Sequence, residues 1–200
     1  PLIDAMNSSD KTKSYRVLST MYAQYQPIED IIFKTTFSPT FSTSRRGEYY
    51  GGLSSEQSST YNAATNPGGT AKATVTKNDI FSYTCDTQVN YIKTFNAVHN
   101  VNAMALISAY SMTNERYELT GTGMSPETLW YNLGSASSYS EVSSPYEQNT
   151  ILSYALRLNY SYKGKYLATV STRRDGSSKF KKYESVGSFP SVALALNIGE

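Results

Sequence analysis

Residues Leu158 to Phe180 read LNYSYKGKYLATVSTRRDGSSKF. Large apolar and small polar residues alternate up to Lys163-Gly164-Lys165, then alternate again beyond it. Two alternating runs about a glycine-centred turn predict a β-hairpin. Leu158, Tyr160 and Tyr162 share one face, and Asn159 and Ser161 share the other. The fold turns on whether the apolar face lines a protein core or meets a non-aqueous surrounding.

The same alternation recurs along the chain. On Ile151–Tyr162, Leu152, Tyr154, Leu156, Leu158, Tyr160 and Tyr162 oppose Ser153, Ala155, Arg157, Asn159 and Ser161. On Phe189–Ile198, Pro190, Val192, Leu194, Leu196 and Ile198 oppose Ser191, Ala193, Ala195 and Asn197. On Ile31–Arg45, Ile31, Phe33, Thr35, Phe37 and Phe41 oppose Lys34, Thr36, Ser38, Thr40 and Ser42. About seven strands are predicted: 12–26, 31–45, 70–93, 100–118, 151–162, 166–175 and 189–198. In 100–118 either Met104, Leu106, Tyr110 and Met112 or Val101, Ala103, Ala105 and Ile107 can face outward. Pro39 implies a bulge, because it lacks the N–H a ladder needs.

Short turns alternate strictly with long polar segments at 46–69 and 119–150. That alternation and strands well beyond the usual ~5–6 residues match outer-membrane barrels, whose periplasmic turns are short and extracellular loops long. Tyrosines near the short turns (Tyr22, Tyr25, Tyr91, Tyr160, Tyr162, Tyr166) suggest an aromatic girdle. Lys77 and Asp79 fall on the apolar phase but on the loop side of Phe81, so on 70–93 only Phe81 to Tyr91 need meet lipid. Arg174, eight residues beyond Tyr166 in the sequence, is expected near the outer rim, about 19 Å up a tilted strand. Within 119–150, SPETLWYNLG suggests a helical turn capped by Ser125 with Pro126 first.

Composition narrows the function. The chain has 200 residues, a net charge of +2, 39% hydrophobic residues and 18 tyrosines. Aromatic and small polar side chains suit β-structure with two unlike faces. The small charge and the lack of a basic cluster exclude nucleic acid as a partner. Cys85, the single cysteine, permits no internal disulfide, and the single histidine, His99, lies by a turn. No apolar run approaches the ~18 residues of a membrane helix and no signal peptide is evident. GTGMS (121–125) has no following lysine, and RRDG (173–176) makes no acid–base pair, so no enzyme is expected, and no metal or cofactor.

The run from Ser153 to Phe180, followed by FPSVALALNIGE at 189–200, resembles the SusC-like (RagA-type) TonB-dependent outer-membrane transporters of Bacteroidetes. PLIDAMNSSDKTKSYRVLSTMYAQYQPIEDIIFKTTFSPTFS (1–42) is similar to mid-barrel strands of that family. KKYESVGS (181–188) and Leu196 depart from its usual Asn- and Trp-bearing loop and last-strand tryptophan. The resemblance implies an all-β, antiparallel up-and-down meander within a larger transmembrane β-barrel of about 22 strands around a plug. It also implies that residues 1–200 are a partial barrel domain without plug or remaining strands, and that the chain by itself is not a soluble monomer. The implied activity is TonB-energised uptake of oligosaccharide or peptide across the outer membrane. The implied partners are outer-membrane lipid, a SusD-like surface lipoprotein, the TonB complex and the substrate.

Substrate would meet inward residues and loops. The candidates are Arg157, Asn159, Arg173 and Asp175 on inward phases, and Tyr49, Tyr50, Trp130 and Tyr131 on loops. The alternative reading is a soluble β-sandwich that binds carbohydrate or serves adhesion.

Overall fold

The computed structural model describes residues 2–125, 128–179 and 186–198. A short helix, α1 (Leu2–Asn7), precedes nine strands. These are β1 (Ser8–Leu18), β2 (Met21–Ile28), β3 (Ile31–Tyr50), β4 (Lys72–Phe95), β5 (His99–Thr122), β6 (Ser138–Ser143), β7 (Tyr146–Tyr162), β8 (Tyr166–Ser177) and β9 (Val186–Leu196). They form a single sheet in the order β1-β3-β4-β5-β7-β8-β9, with β2 also on β3 and β6 also on β5. This is the predicted meander. A sandwich needs two packed sheets, so the single sheet overturns the alternative reading.

Seven predicted strands become nine because one of them is interrupted and a further strand, β6, forms where no strand was predicted. The ladder between β2 and β3 runs from Ile28↔Ile31 to Met21↔Phe37. Two residues beyond Phe37 stands Pro39. It accepts a bond from the Ser19 N–H at 3.1 Å but has no N–H to return. The predicted strand 12–26 therefore breaks into β1 and β2 at Ser19-Thr20, which is the irregularity Pro39 announced. Pro145 stands at a second break, between β6 and β7, where its carbonyl accepts the Arg116 N–H at 3.1 Å. β6 lies inside the segment 119–150 that was expected to be loop.

The strand ends also move. β3 runs to Tyr50 rather than Arg45, β5 to Thr122, and β7 starts at Tyr146 rather than Ile151. Long neighbours supply hydrogen-bond partners to polar stretches that have little strand signal of their own. Pro126 lies outside the described residues. A 3-10 turn is instead found at Leu133–Ser135.

The short turns follow backbone chemistry. In Tyr162–Lys165 the Lys165 N–H donates to the Tyr162 carbonyl at 3.0 Å, with φ of 53° at Lys163 and 66° at Gly164. Positive φ at both central positions is the turn whose twist suits a hairpin. Phe95–Val98 repeats it through Asn96 and Ala97.

The chain divides into two compact units. Unit 1 comprises residues 1–17, 41–81 and 113–147. Its small core holds Tyr49, Ala71, Ala73, Met124, Trp130 and Leu133. Unit 2 comprises residues 18–40, 82–112 and 148–200. None of the buried apolar residues of the core belongs to it among the described residues.

Candidate functional site: the two faces of unit 2 and the loop core of unit 1

In unit 2 the hairpin of β7 and β8 is in unbroken register from Tyr162↔Tyr166 to Ile151↔Ser177, and β9 continues it. Directly paired residues share a face, so the register fixes the rows. Tyr162, Tyr166 and Leu196 form one row, and Tyr160, Ala168 and Leu194 the next. Leu158, Val170 and Val192 follow, then Leu156, Thr172 and Pro190. The apolar phases seen separately in the sequence are thus one continuous apolar surface.

That surface is exposed. Leu156 is 57% accessible and Leu194 is 80% accessible, whereas Ser153, on the opposite face of β7, is 3% accessible. Burial is the inverse of what water would select, since covering a leucine contributes roughly 1.5–3 kcal/mol.

β5 settles into one phase. The Arg157 guanidinium reaches Met104 Sδ at 3.7 Å, so Met104 belongs to the polar face. Ile107, on the other phase, is exposed. Ala103, Met104 and Ala105 border, with Leu156, Arg157 and Leu158, a depression of about 620 Å³.

The predicted girdle needs one correction. Tyr25 pairs with Phe33 on the apolar phase, but Tyr22 pairs with Thr36 on the polar one. There the Lys34 ammonium lies 5.0 Å from its ring centre. His99 does sit at the turn. Its Nδ1 is 2.7 Å from the Tyr160 hydroxyl and its ring 5.0 Å from that of Tyr162.

The polar face holds the first four candidates. Arg173 Nε donates to Asp175 Oδ1 at 2.7 Å and Oδ2 at 3.0 Å, and its NH2 group donates to Ser153 Oγ at 3.2 Å. Asn159 accepts from Thr169 Oγ1 at 2.9 Å. Arg157 pairs with Ser171 in the ladder and has no carboxylate partner among the described residues. The structure therefore joins Arg173 and Asp175, while Arg157 and Asn159 occupy separate rows.

Phe189 is the residue the sequence reading passed over. It pairs with Arg173 and therefore lies on the polar face, 59% accessible. Its parity with Ser191 was the available signal.

The remaining candidates lie in unit 1. Tyr49 and Trp130 are each only 4% accessible and belong to the core. Tyr131 is 65% accessible, with its ring 5.0 Å from that of Trp130, and Tyr50 is half-buried. Trp130 occupies the space above Gly47. The glycines of GTGMS are structural: a Cβ at Gly121 would lie 2.7 Å from that of Ala136, and Gly123 has φ of 75°. Lys77 and Asp79 form an ion pair at 2.6 Å, and Thr43 donates to the same carboxylate. Arg46 makes a two-point contact with Asp10, at 3.0 and 2.7 Å. None of these arrangements couples a nucleophile to a base, and no group of side chains fit for a metal occurs among the described residues.

No protein-family model matches the chain. TonB-dependent receptor P26 of Formosa agariphila is 28% identical over 202 residues, covering 100% of this chain and 20% of that protein. TonB-dependent receptor P3 of the same organism is also 28% identical, covering 100% of this chain and 19% of its own length. TonB-dependent receptor SusC of Bacteroides thetaiotaomicron is 51% identical over 53 residues, 26% of this chain and 5% of that one.

Among solved structures, the RagAB peptide transporter superposes with a TM-score of 0.80 at 17% identity, over 94% of this chain and 20% of that one. BauA, the ferric preacinetobactin receptor from Acinetobacter baumannii, gives 0.57 at 13% identity, over 98% of this chain and 31% of that one. At these identities the structural likeness establishes the fold. The chain is a relative of the TonB-dependent receptors, SusC among them, and corresponds to about a fifth of the length of the curated relatives it matches end to end.

Proposed function

We propose that the chain is part of the barrel wall and loops of an outer-membrane importer, energised through TonB, that takes up oligosaccharide or peptide. The observation that carries this is the inverted burial of unit 2, in which leucines are exposed and serine is covered. Such a face is stable against hydrocarbon, provided lateral pairing satisfies the backbone, as it does along β7 and β8, each paired on both sides. The wall passes substrate without chemistry, in keeping with relatives that are receptors and transporters rather than enzymes. A plug and the remaining strands belong to the whole protein. Its partners are outer-membrane lipid, a SusD-like lipoprotein and the TonB complex; the likeness to the RagAB peptide transporter supports peptide as one of the two substrate classes.

The test is accumulation of labelled oligosaccharides and labelled peptides by cells carrying the whole gene. Uptake of one class should disappear when the gene is deleted and again when TonB is deleted. Uptake of both classes unchanged by either deletion would refute the reading.

A further inference from the structure

Phe189 is out of place by composition. It stands on a face where its β9 neighbours are Gly187, Ser191 and Ala193. In an aqueous lumen an exposed phenyl ring is unfavourable unless something covers it. The ring leans along β9, and its far end crosses Gly187. A Cβ on Gly187 would lie 2.9 Å from Cζ and 3.0 Å from Cε2. Gly187 pairs with Asp175, and Phe189 itself pairs with Arg173. The ring is therefore flanked by a carboxylate and a guanidinium that are already locked to each other.

This combination has a definite chemistry. Asp175 is held by the Ser153 side chain and by one nitrogen of Arg173, and its two oxygens offer more acceptor sites than these donors fill. Arg173 keeps N–H groups beyond those given to Asp175 and Ser153. An acceptor and a donor stand side by side next to an apolar ring. A hydroxyl both donates and accepts, so vicinal hydroxyls match the pair while the C–H face of a pyranose covers the phenyl. A free carboxylate would be attracted by Arg173 but repelled by Asp175.

We propose that Phe189, with Arg173 and Asp175 beside it, forms a stacking platform for a neutral sugar ring of the imported ligand, and that Gly187 sets the tilt of the ring. The proposal rests on the importer reading and deepens it toward glycan.

The experiment uses the full-length protein purified in detergent. Saturation-transfer NMR reads which ligand protons touch protein. The probes are neutral gluco-, manno- and xylo-oligosaccharides and, separately, a tryptic digest of casein. Ring C–H protons of at least one sugar should receive saturation. Phe189→Ala should weaken that sugar's binding roughly tenfold, Phe189→Tyr should retain it, and Gly187→Ala should weaken it by lifting the ring. Leu194→Ala, on the opposite face, should leave it unchanged. Sugar saturation undiminished in Phe189→Ala, saturation of peptides alone, or saturation of neither probe would each overturn the platform. Uptake assays on the same variants keep the two readings apart. Transport that survives in Phe189→Ala with sugar contact intact sinks only the platform, whereas absent energy-dependent uptake in the parent protein sinks the importer.

Discussion

The indole of Trp130 fills the space that a side chain on Gly47 would need: its Nε1 lies 2.1 Å from where that Cβ would stand. This contact fastens the segment around Trp130 to β3 and closes the small core of unit 1. Gly47→Ala should force the indole off the strand, at a cost of about 1–3 kcal/mol. Trp130→Ala should cost about 3–5 kcal/mol by leaving a cavity. In outer-membrane vesicles, both variants should become sensitive to protease between Leu129 and Ser138. Resistance equal to the parent would show that the segment is held by something else.

Adjacent residues of β7 should differ sharply in their tolerance of charge. Leu158→Arg places a cation on the apolar face, where mid-membrane depth costs about 2–4 kcal/mol. Asn159→Arg, one residue along, should be close to neutral. Urea midpoints in lipid vesicles compare the two. Equal losses would contradict the assignment of faces.

The seven positions across the sheet were legible from runs of strand-forming residues between turns, with a period-two signal unbroken in Ile151–Tyr162 and Phe189–Ile198 but undecided in 100–118. The break at Ser19-Thr20 was half legible. Pro39 announced an irregularity, but only pairing shows that the partner strand takes the interruption. The ends of β3 and β5 were not legible, because Glu48, Tyr49, Thr120 and Gly121 are strand only through their neighbours. Trp130 resembles a ligand contact in sequence, and nothing local reveals that Gly47, far off in the chain, makes room for it. Phe189 could have been placed by parity alone.

Acid should loosen the contact between α1 and the segment after β3. The Asp4 carboxylate accepts the Ser55 N–H at 2.7 Å, which holds its pKa below the ordinary carboxylate value. A depressed pKa means the contribution is complete above the unfolded value and is lost as pH falls through the folded one. Hydrogen exchange at the Ser55 amide should therefore be protected near neutrality and lose protection in acid beyond the intrinsic pH effect. Asp4→Asn should remove that pH dependence. An acid-insensitive protection factor in the parent would refute the contact.

Ala97 holds φ of 57° in the turn joining β4 to β5, a conformation that costs a residue with a Cβ roughly 1–2 kcal/mol. Ala97→Gly should raise the urea midpoint in vesicles, whereas Ala97→Val should lower it. A glycine variant less stable than the parent would mean the turn adopts another form.

As a wall of an outer-membrane importer, β7 must turn its leucine and tyrosine face to hydrocarbon and its serine, arginine and asparagine face to water. Single nitroxide labels placed successively from Leu152 to Tyr162 in the full-length protein, with Cys85 replaced by serine and the protein reconstituted in lipid vesicles, test it most directly. Relaxation by oxygen should peak at positions 152, 154, 156, 158 and 160. Relaxation by a water-soluble nickel chelate should be higher at 153, 155, 157, 159 and 161. A period of two with those phases exchanged, or equal access to the nickel chelate on both faces, would contradict the account.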